Sequence, residues 1–100
     1  MIDLKREYLE EIKNILTRQV PDCEARLFGS RVKGKARAYS DIDIILVSDA
    51  KLDWRVIERL KDAFSASRLP FMVDVLDWQT LSEEFKKALG ADFVVLRRPG

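Results

Sequence analysis

Three aspartates lie where the sequence pattern predicts β-strands, and their spacing is the first chemical signal in the chain. Asp41 and Asp43 are two residues apart, and Asp74 interrupts an apolar run thirty-one residues after Asp43. Because side chains alternate along a strand, Asp41 and Asp43 project from one face, about 7 Å apart along the chain. Buried carboxylates need cations or protonation, and clustered carboxylate oxygens are the ligands that Mg²⁺ prefers. The three aspartates therefore predict a site for a divalent metal.

A purely structural interpretation of the same residues is also open. Asp41 and Asp43 would cap a turn at the start of their strand, and Asp74 would form an ion pair with an arginine such as Arg26 or Arg68. This interpretation suits any one of the aspartates taken singly. Two aspartates at i and i+2, with a third in a separate apolar strand, favour the metal site instead.

A glycine, a serine and a basic segment come just before the aspartate pair. Gly29 and Ser30 end a predicted strand, and residues 29–39 contain four basic residues and no acidic one: Arg31, Lys33, Lys35 and Arg37. The whole chain carries a net charge of +1, so the residues outside this segment sum to −3. Glycine lets the backbone approach an anion, and amide and hydroxyl groups donate to phosphate oxygens. Composition alone would suit a solvated basic loop, but the position beside the carboxylates favours phosphate binding.

The same residues also match most of a P-loop pattern. Residues 29–36 satisfy the first seven positions of GxxxxGK[ST], but Ala36 stands where the pattern requires a hydroxyl ligand for Mg²⁺. The rest of the chain is also too short for a parallel sheet built from repeated βαβ units. The pattern therefore does not support a P-loop.

Composition excludes several classes of protein. The chain has 100 residues and no histidine, which excludes a Ser-His-Asp triad and histidine-ligated zinc. Its single cysteine, Cys23, excludes a disulfide framework and fits a reducing compartment. No apolar run approaches the ~20 residues of a membrane span, and the near-zero net charge argues against general binding of nucleic acid. We expect one soluble, cytoplasmic domain over residues 1–100 that binds neither nucleic acid nor membrane.

Hydrophobic periodicity predicts the elements that position these residues. The order is α-β-(loop)-β-α-β-α-(β), an α/β or α+β fold in which helices pack on a mixed β-sheet. The predicted helices cover residues 3–20, a segment capped by Asp49 or Asp53 and ending near 67, and a segment opened by a capping box at 80–83 and ending at Leu89. The predicted strands cover residues 23–28, 41–47, 71–76 and 93–96. We expect the 71–76 strand to be buried and the last helix to turn Leu81, Phe85 and Leu89 inward.

Together, the motifs resemble those of a known superfamily. Gly29-Ser30, ten residues, and then Asp41-Ile42-Asp43 resemble the GSx10DxD signature of the DNA polymerase β nucleotidyltransferase superfamily. The fuller string from Leu27 to Ile44 is similar to minimal nucleotidyltransferase (MNT) proteins, the antitoxin halves of HEPN–MNT modules. The resemblance covers nearly the whole chain and implies a fold like the polymerase β palm.

The resemblance also implies residue roles. The family's ligands for two Mg²⁺ ions map onto the three aspartates, which makes Asp41, Asp43 and Asp74 the candidate catalytic and metal-binding residues. The candidate nucleotide-binding residues are Gly29, Ser30, Arg31, Lys33 and Arg37. The chain lacks the helical second domain of larger members, a part that a separate helical HEPN protein plays in the MNT family. The implied activity is transfer of AMP from ATP to a tyrosine hydroxyl of that toxin.

Two alternatives remain open from the sequence. The chain could neutralise its partner by binding alone, with a vestigial metal site and aromatic anchors among Tyr39, Trp54, Phe71 and Trp78. It could also transfer a nucleotide to a small hydroxylated molecule. The identity of the nucleotide, the acceptor and the oligomeric state are open as well.

Overall fold

The computed structural model describes residues 4–28, 41–91 and 93–99. In the described residues, the helices are α1 (Arg6–Gln19), α2 (Trp54–Ser65) and α3 (Glu83–Leu89), and a 3₁₀ turn covers Trp78–Thr80. The strands are β1 (Glu24–Phe28), β2 (Ile42–Val47), β3 (Val73–Asp77) and β4 (Val94–Arg97). The predicted order of elements is confirmed, while the predicted loop at residues 31–40 lies outside the described residues.

The four strands form one mixed sheet in the order β3-β2-β1-β4. β1 runs antiparallel to both β2 and β4, whereas β2 and β3 run parallel. A parallel pair needs a crossover connection, and α2 provides it. The mixed α/β class predicted from the sequence is therefore confirmed.

Two amphipathic helices cover one face of the sheet. α1 buries Ile12, Ile15 and Leu16, and α2 buries Leu60 and Phe64. Asp53, rather than Asp49, caps α2, because its side chain accepts a hydrogen bond from the Arg55 backbone N–H at 2.9 Å. Both helices pack on an apolar cluster from the strands: Ala25, Leu27, Ile42, Ile44, Leu46, Val75 and Leu96. The core therefore lies between this face and the two helices.

Cys23 belongs to the same core and is 5% exposed. Burial, followed by the nearby charges of Asp22 and Asp77, raises the pKa of its thiol above the ordinary value. Cys23 therefore packs as a small buried apolar residue.

Two predictions about the C-terminal half are wrong in detail. The third strand is an edge strand that begins at Val73, and Met72 before it is 74% exposed. The last helix begins after a cap at Ser82 and buries none of its residues, and Phe85 is 44% exposed. Thr80 is the last residue of the 3₁₀ turn and Leu81 is its C-cap, so the helix opens two residues later than a cap at Thr80 would place it.

Within the described ranges, no helix is long and apolar enough to cross a membrane, and the longest of them, α1, has 14 residues.

Candidate functional site

The parallel pairing of β2 and β3 brings two of the predicted aspartates side by side. Asp43 is directly opposite Asp74 in the strand register, and Asp41 immediately precedes β2. On the other side of β2, the last residue of β1, Phe28, is opposite Asp43. Asp43 is therefore at the centre of the site, with Asp74 on one side and the end of β1 on the other.

Burial and charge both act on the Asp43 carboxyl group. Asp43 is half-buried, whereas Asp41 and Asp74 are exposed. Burial raises the pKa of Asp43 above its ordinary value of 3.8, and the negative charges of Asp74 and then Asp41 raise it further. The Asp74 and Asp41 carboxylates are thus each close enough to repel the Asp43 carboxylate.

The structural interpretation of Asp74 is not what the structure shows. Among the described residues, neither Arg26 nor Arg68 forms an ion pair with Asp74, and Arg26 pairs with Glu24 instead. The Asp74 Oδ1 atom accepts a hydrogen bond from the backbone N–H of Val75 at 3.0 Å. No described lysine or arginine forms an ion pair with Asp41 or Asp43 either.

A divalent cation would relieve the repulsion at Asp43, and carboxylate oxygens suit such an ion. As the side chains stand, no three acidic or cysteine side chains of residues 4–28, 41–91 and 93–99 lie close enough together to hold a metal. The Asp74 Oδ1 atom accepts a hydrogen bond from the Val75 backbone instead. The metal-binding role of Asp41, Asp43 and Asp74 stays a prediction.

The predicted nucleotide-binding residues lie outside the described ranges: Gly29, Ser30, Arg31, Lys33 and Arg37. Phe28 is the residue directly before them, and its register places the end of β1 beside Asp43. Their roles remain predictions.

The structure adds a cation and aromatic cluster that the sequence analysis missed. The Arg26 guanidinium lies 4.5 Å from the ring centre of Phe93 and 5.6 Å from that of Trp78. On Trp78, the Lys86 Nζ atom is 4.9 Å from the ring centre. Such contacts stabilise by about 0.5–1 kcal/mol where they are exposed. The cluster attaches α3 to the sheet, and its sequence signal was that Arg26 and Phe28 share the face of β1 opposite Ala25 and Leu27.

Asp77 was also missed, and its role is structural. It is 5% exposed, and its Oδ2 accepts the Leu52 N–H at 2.8 Å while its Oδ1 accepts the Gln79 N–H at 3.0 Å. Two hydrogen bonds from backbone N–H groups replace the hydration that a carboxylate loses on burial. Asp77 is opposite Leu46 in the register, so it fixes the loops at the end of the sheet remote from Asp41.

The aromatic residues considered as interface anchors differ in their surroundings. Trp54 is 68% exposed, whereas Trp78 is half-buried in the cluster around Arg26. Phe71 packs at the margin of the core, with its ring centre 5.8 Å from that of Tyr8. Tyr39 lies outside the described residues.

A mixed sheet covered on one face by helices, with aspartates at the start of its parallel pair, is the architecture of a nucleotidyltransferase. The family described as polymerase beta, nucleotidyltransferase, matches residues 10–97. The chain therefore belongs to the polymerase β nucleotidyltransferase family, which generally uses a divalent metal.

One sequence relative and two solved structures show which members of the family this chain is similar to. The chain is 48% identical over 96 residues to the Haemophilus influenzae protein named Probable protein adenylyltransferase MntA, covering 96% of this chain and 84% of that protein. A solved MntA-HpeT toxin–antitoxin complex carrying two substitutions matches at a TM-score of 0.73, with 24% identity over 90% of this chain and 73% of the other. A tri-AMPylated Shewanella oneidensis HEPN toxin in complex with MNT antitoxin matches at 0.64, with 21% identity over 95% and 73%. These structures share the fold, and the chain is an MntA homologue.

Proposed function

We propose that the chain is a Mg²⁺-dependent protein adenylyltransferase that transfers AMP from ATP to a tyrosine hydroxyl of a HEPN-type toxin and so acts as its antitoxin. The observation that carries the proposal is the register of Asp43 against Asp74, with Asp41 one residue before the same strand. The likeness to a protein named as an adenylyltransferase, at 48% identity, supports the choice of the adenylyl group.

In the proposed reaction, the tyrosine Oη forms a bond to the α-phosphorus of ATP. The bond from that phosphorus to the oxygen bridging to the β-phosphorus breaks, and pyrophosphate leaves with its electron pair. The hydroxyl proton passes to a nearby base, and Asp74 is the candidate because it is next to Asp43 and exposed. The products are an O-adenylylated tyrosine, pyrophosphate and a proton.

Asp41, Asp43 and Asp74 would hold two Mg²⁺ ions. When bound, the ions would neutralise the triphosphate and lower the pKa of the attacking hydroxyl. Gly29, Ser30 and Arg31, with Lys33 and Arg37, would orient the phosphates so that pyrophosphate leaves in line. The raised pKa of Asp43 supports this arrangement, because a cation there would offset the repulsion from Asp74 and Asp41.

The acceptor in this proposal is a protein rather than a nucleic acid. A solved complex with the same fold contains a HEPN toxin that is tri-AMPylated, and the antitoxin and the toxin in it are partners. We propose that a separate HEPN-type protein likewise completes the active site of this chain. Because the donor is ATP, we place the reaction in the cytoplasm.

The test is to incubate the purified protein with Mg²⁺, ATP labelled in the α-phosphate and its HEPN-type partner. We expect label on a tyrosine of the partner, and loss of that label with Asp41→Ala and Asp43→Ala. Absence of label with the unsubstituted protein would contradict the proposal. Neutralisation of the toxin by the triple aspartate variant would instead support binding alone, and labelling of a small hydroxylated molecule without a partner would support the other alternative.

A further inference from the structure

Four side chains form a row across one end of the sheet. Asp74, Asp43 and Phe28 are opposite one another on β3, β2 and β1. Phe93 directly precedes β4, and the antiparallel register of β4 with β1, continued by one residue, brings it beside Phe28. Directly opposed residues of neighbouring strands project from the same face of a sheet. The row therefore joins two candidate catalytic carboxylates to two aromatic rings.

The two rings pack together on the face of the sheet that α1 and α2 do not cover. Phe28 is only 3% exposed, although it is on the opposite face of β1 from Leu27, which belongs to the core under those helices. The ring centres of Phe28 and Phe93 are 5.3 Å apart, and their planes are inclined at 40°. Phe93 thus helps to keep Phe28 buried, and this contact lies next to Asp43 in the row.

Arg26 contacts Phe93 from a second direction. It shares the face of β1 with Phe28, and its guanidinium is 4.5 Å from the ring centre of Phe93. The Arg26 Nε atom donates a hydrogen bond to the Glu24 carboxylate, which fixes the guanidinium. The same guanidinium also contacts Trp78, but Trp78 follows β3 at the end of that strand remote from Asp74. Of the two rings beside Arg26, only Phe93 is therefore in the row with Asp43.

The neighbours of Asp43 in the row restrict its carboxylate in two different ways. On one side, the negative charge of Asp74 repels it. On the other side, the Phe28 ring bounds it with a surface that offers no strong hydrogen-bond donor. The space open to the Asp43 side chain therefore depends on where the Phe28 ring lies, and that in turn depends on Phe93.

We propose that Phe93 is a positioning residue for Asp43: it holds the Phe28 ring beside the carboxylate and so limits the directions into which the carboxylate can turn. This inference rests on the proposed function, in which Asp43 is the central acidic residue, and adds a residue near the opposite end of the chain to its machinery. A displacement of a catalytic group by about 1 Å can cost roughly 10²-fold in rate. Loss of the Phe93 ring should therefore lower turnover without removing any group that binds a substrate.

The test compares Phe93→Leu with Trp78→Leu. Each substitution removes one ring from the Arg26 guanidinium and leaves the same apolar side chain, but only Phe93→Leu removes the ring that packs on Phe28. With labelled ATP and the HEPN-type partner, we expect Phe93→Leu to lower kcat about tenfold and to keep both KM values within about twofold. Trp78→Leu should keep kcat within about twofold, even if the two variants lose similar thermal stability.

A second measurement needs neither the partner nor turnover. Because Asp43 is a proposed ligand of Mg²⁺, the concentration of Mg²⁺ that gives half of the maximal thermal stabilisation should rise about threefold in Phe93→Leu. It should be unchanged in Trp78→Leu. A purely structural role of Phe93 would lower the unfolding temperature at every Mg²⁺ concentration and would not shift this midpoint.

Two milder variants keep the inference testable if Phe93→Leu folds poorly. Phe93→Tyr retains the ring and should keep at least about half of the original kcat, while Phe93→Met removes the ring with little loss of volume and should lower kcat about threefold. Equal losses of kcat in Phe93→Leu and Trp78→Leu, or an unchanged kcat in both Phe93→Leu and Phe93→Met, would overturn the inference. If the unsubstituted protein transfers no label, the proposed function itself has failed, which is a separate result.

Discussion

The two faces of the sheet differ in composition although the same strands build them. The face under α1 and α2 carries apolar residues such as Ile42, Ile44 and Leu46, each 0% exposed. The opposite face carries Asp43 and Asp74 beside the buried Ile45. Because side chains alternate along β2, one residue along the strand separates the core from the carboxylates. The same short strand therefore contributes to the core on one face and, in the proposed function, to the catalytic site on the other.

Because of this contrast, substitutions on the two faces should have different effects. A change on the helix-covered face should lower stability, while a change at the aspartates should lower activity and leave the fold intact. Each prediction below tests one side of that comparison, from the largest expected effect to the smallest.

The largest effect should follow Asp43→Asn, which keeps the size of the side chain and removes its charge. We expect adenylyl transfer to the partner to fall roughly 10³-fold, since a central ligand and the charge that attracts the metal are lost. The rate of label transfer under saturating ATP measures it. Asp49→Asn, at an exposed aspartate after β2, is the control and should retain full activity. Near-normal transfer by Asp43→Asn would contradict the proposal that the face carrying Asp43 and Asp74 is the catalytic one.

Ile44→Ala should have the largest effect on stability. Ile44 is fully buried between the sheet and the helices, and deletion of such a side chain costs about 2–5 kcal/mol. Urea unfolding followed by circular dichroism measures the change. Ile44→Val should lose only about 1 kcal/mol. A loss below 1 kcal/mol for Ile44→Ala would show that the helix-covered face is not the main source of stability.

A smaller effect is expected for Trp78→Leu, which removes the ring between Arg26 and Lys86. We expect a loss of about 1 kcal/mol and faster hydrogen exchange in α3, because this cluster attaches the helix and α3 buries none of its own residues. Exchange in β2 should be unchanged. Equal acceleration in α3 and β2 would mean that the cluster supports the whole fold rather than one helix.

The smallest effect concerns the stability of the metal-free protein. The folded-state pKa of Asp43 is raised, so ionisation of Asp43 favours unfolding, and stability falls as the pH rises above 3.8 and through the folded-state pKa. Asp43→Asn should therefore be slightly more stable than the unsubstituted protein at pH 7, since Asp43 is half-buried and solvent screens part of the repulsion.

Thermal unfolding at several pH values checks this prediction. The gain should vanish below about pH 3.8, where the carboxyl group is protonated in both states. Added Mg²⁺ should stabilise the unsubstituted protein and have little effect on Asp43→Asn. A destabilised Asp43→Asn at pH 7 would contradict the repulsion of Asp43 by Asp74 and Asp41.

Elements with a strong apolar period could be predicted from the sequence. Ile12, Ile15 and Leu16 recur at helical spacing and are the buried residues of α1. After Asp43 both faces of β2 are apolar, a pattern typical of a central strand, and β2 has a neighbour on each side. In both cases, burial follows from a local repeat.

The errors occur where burial depends on distant neighbours. Phe71 and Met72 continue the apolar run of β3, but this strand is at the edge of the sheet and Met72 is exposed. Phe85 has helical spacing, but α3 is attached through Trp78 and leaves Phe85 exposed. A local pattern does not contain the strand order or the position of a helix on the sheet.

For the site, the sequence by itself determined which groups are available for the proposed chemistry: three aspartates in predicted strands, with Gly29 and Ser30 before them. Residue type and spacing along the chain are enough to identify such groups. Only the tertiary structure decided that Asp74 is opposite Asp43 on one side and Phe28 on the other. The physical reason is that the spacing of residues along the chain does not specify which strand pairs with which. The crossover through α2 and the register of the parallel strands bring residues thirty-one positions apart into one site.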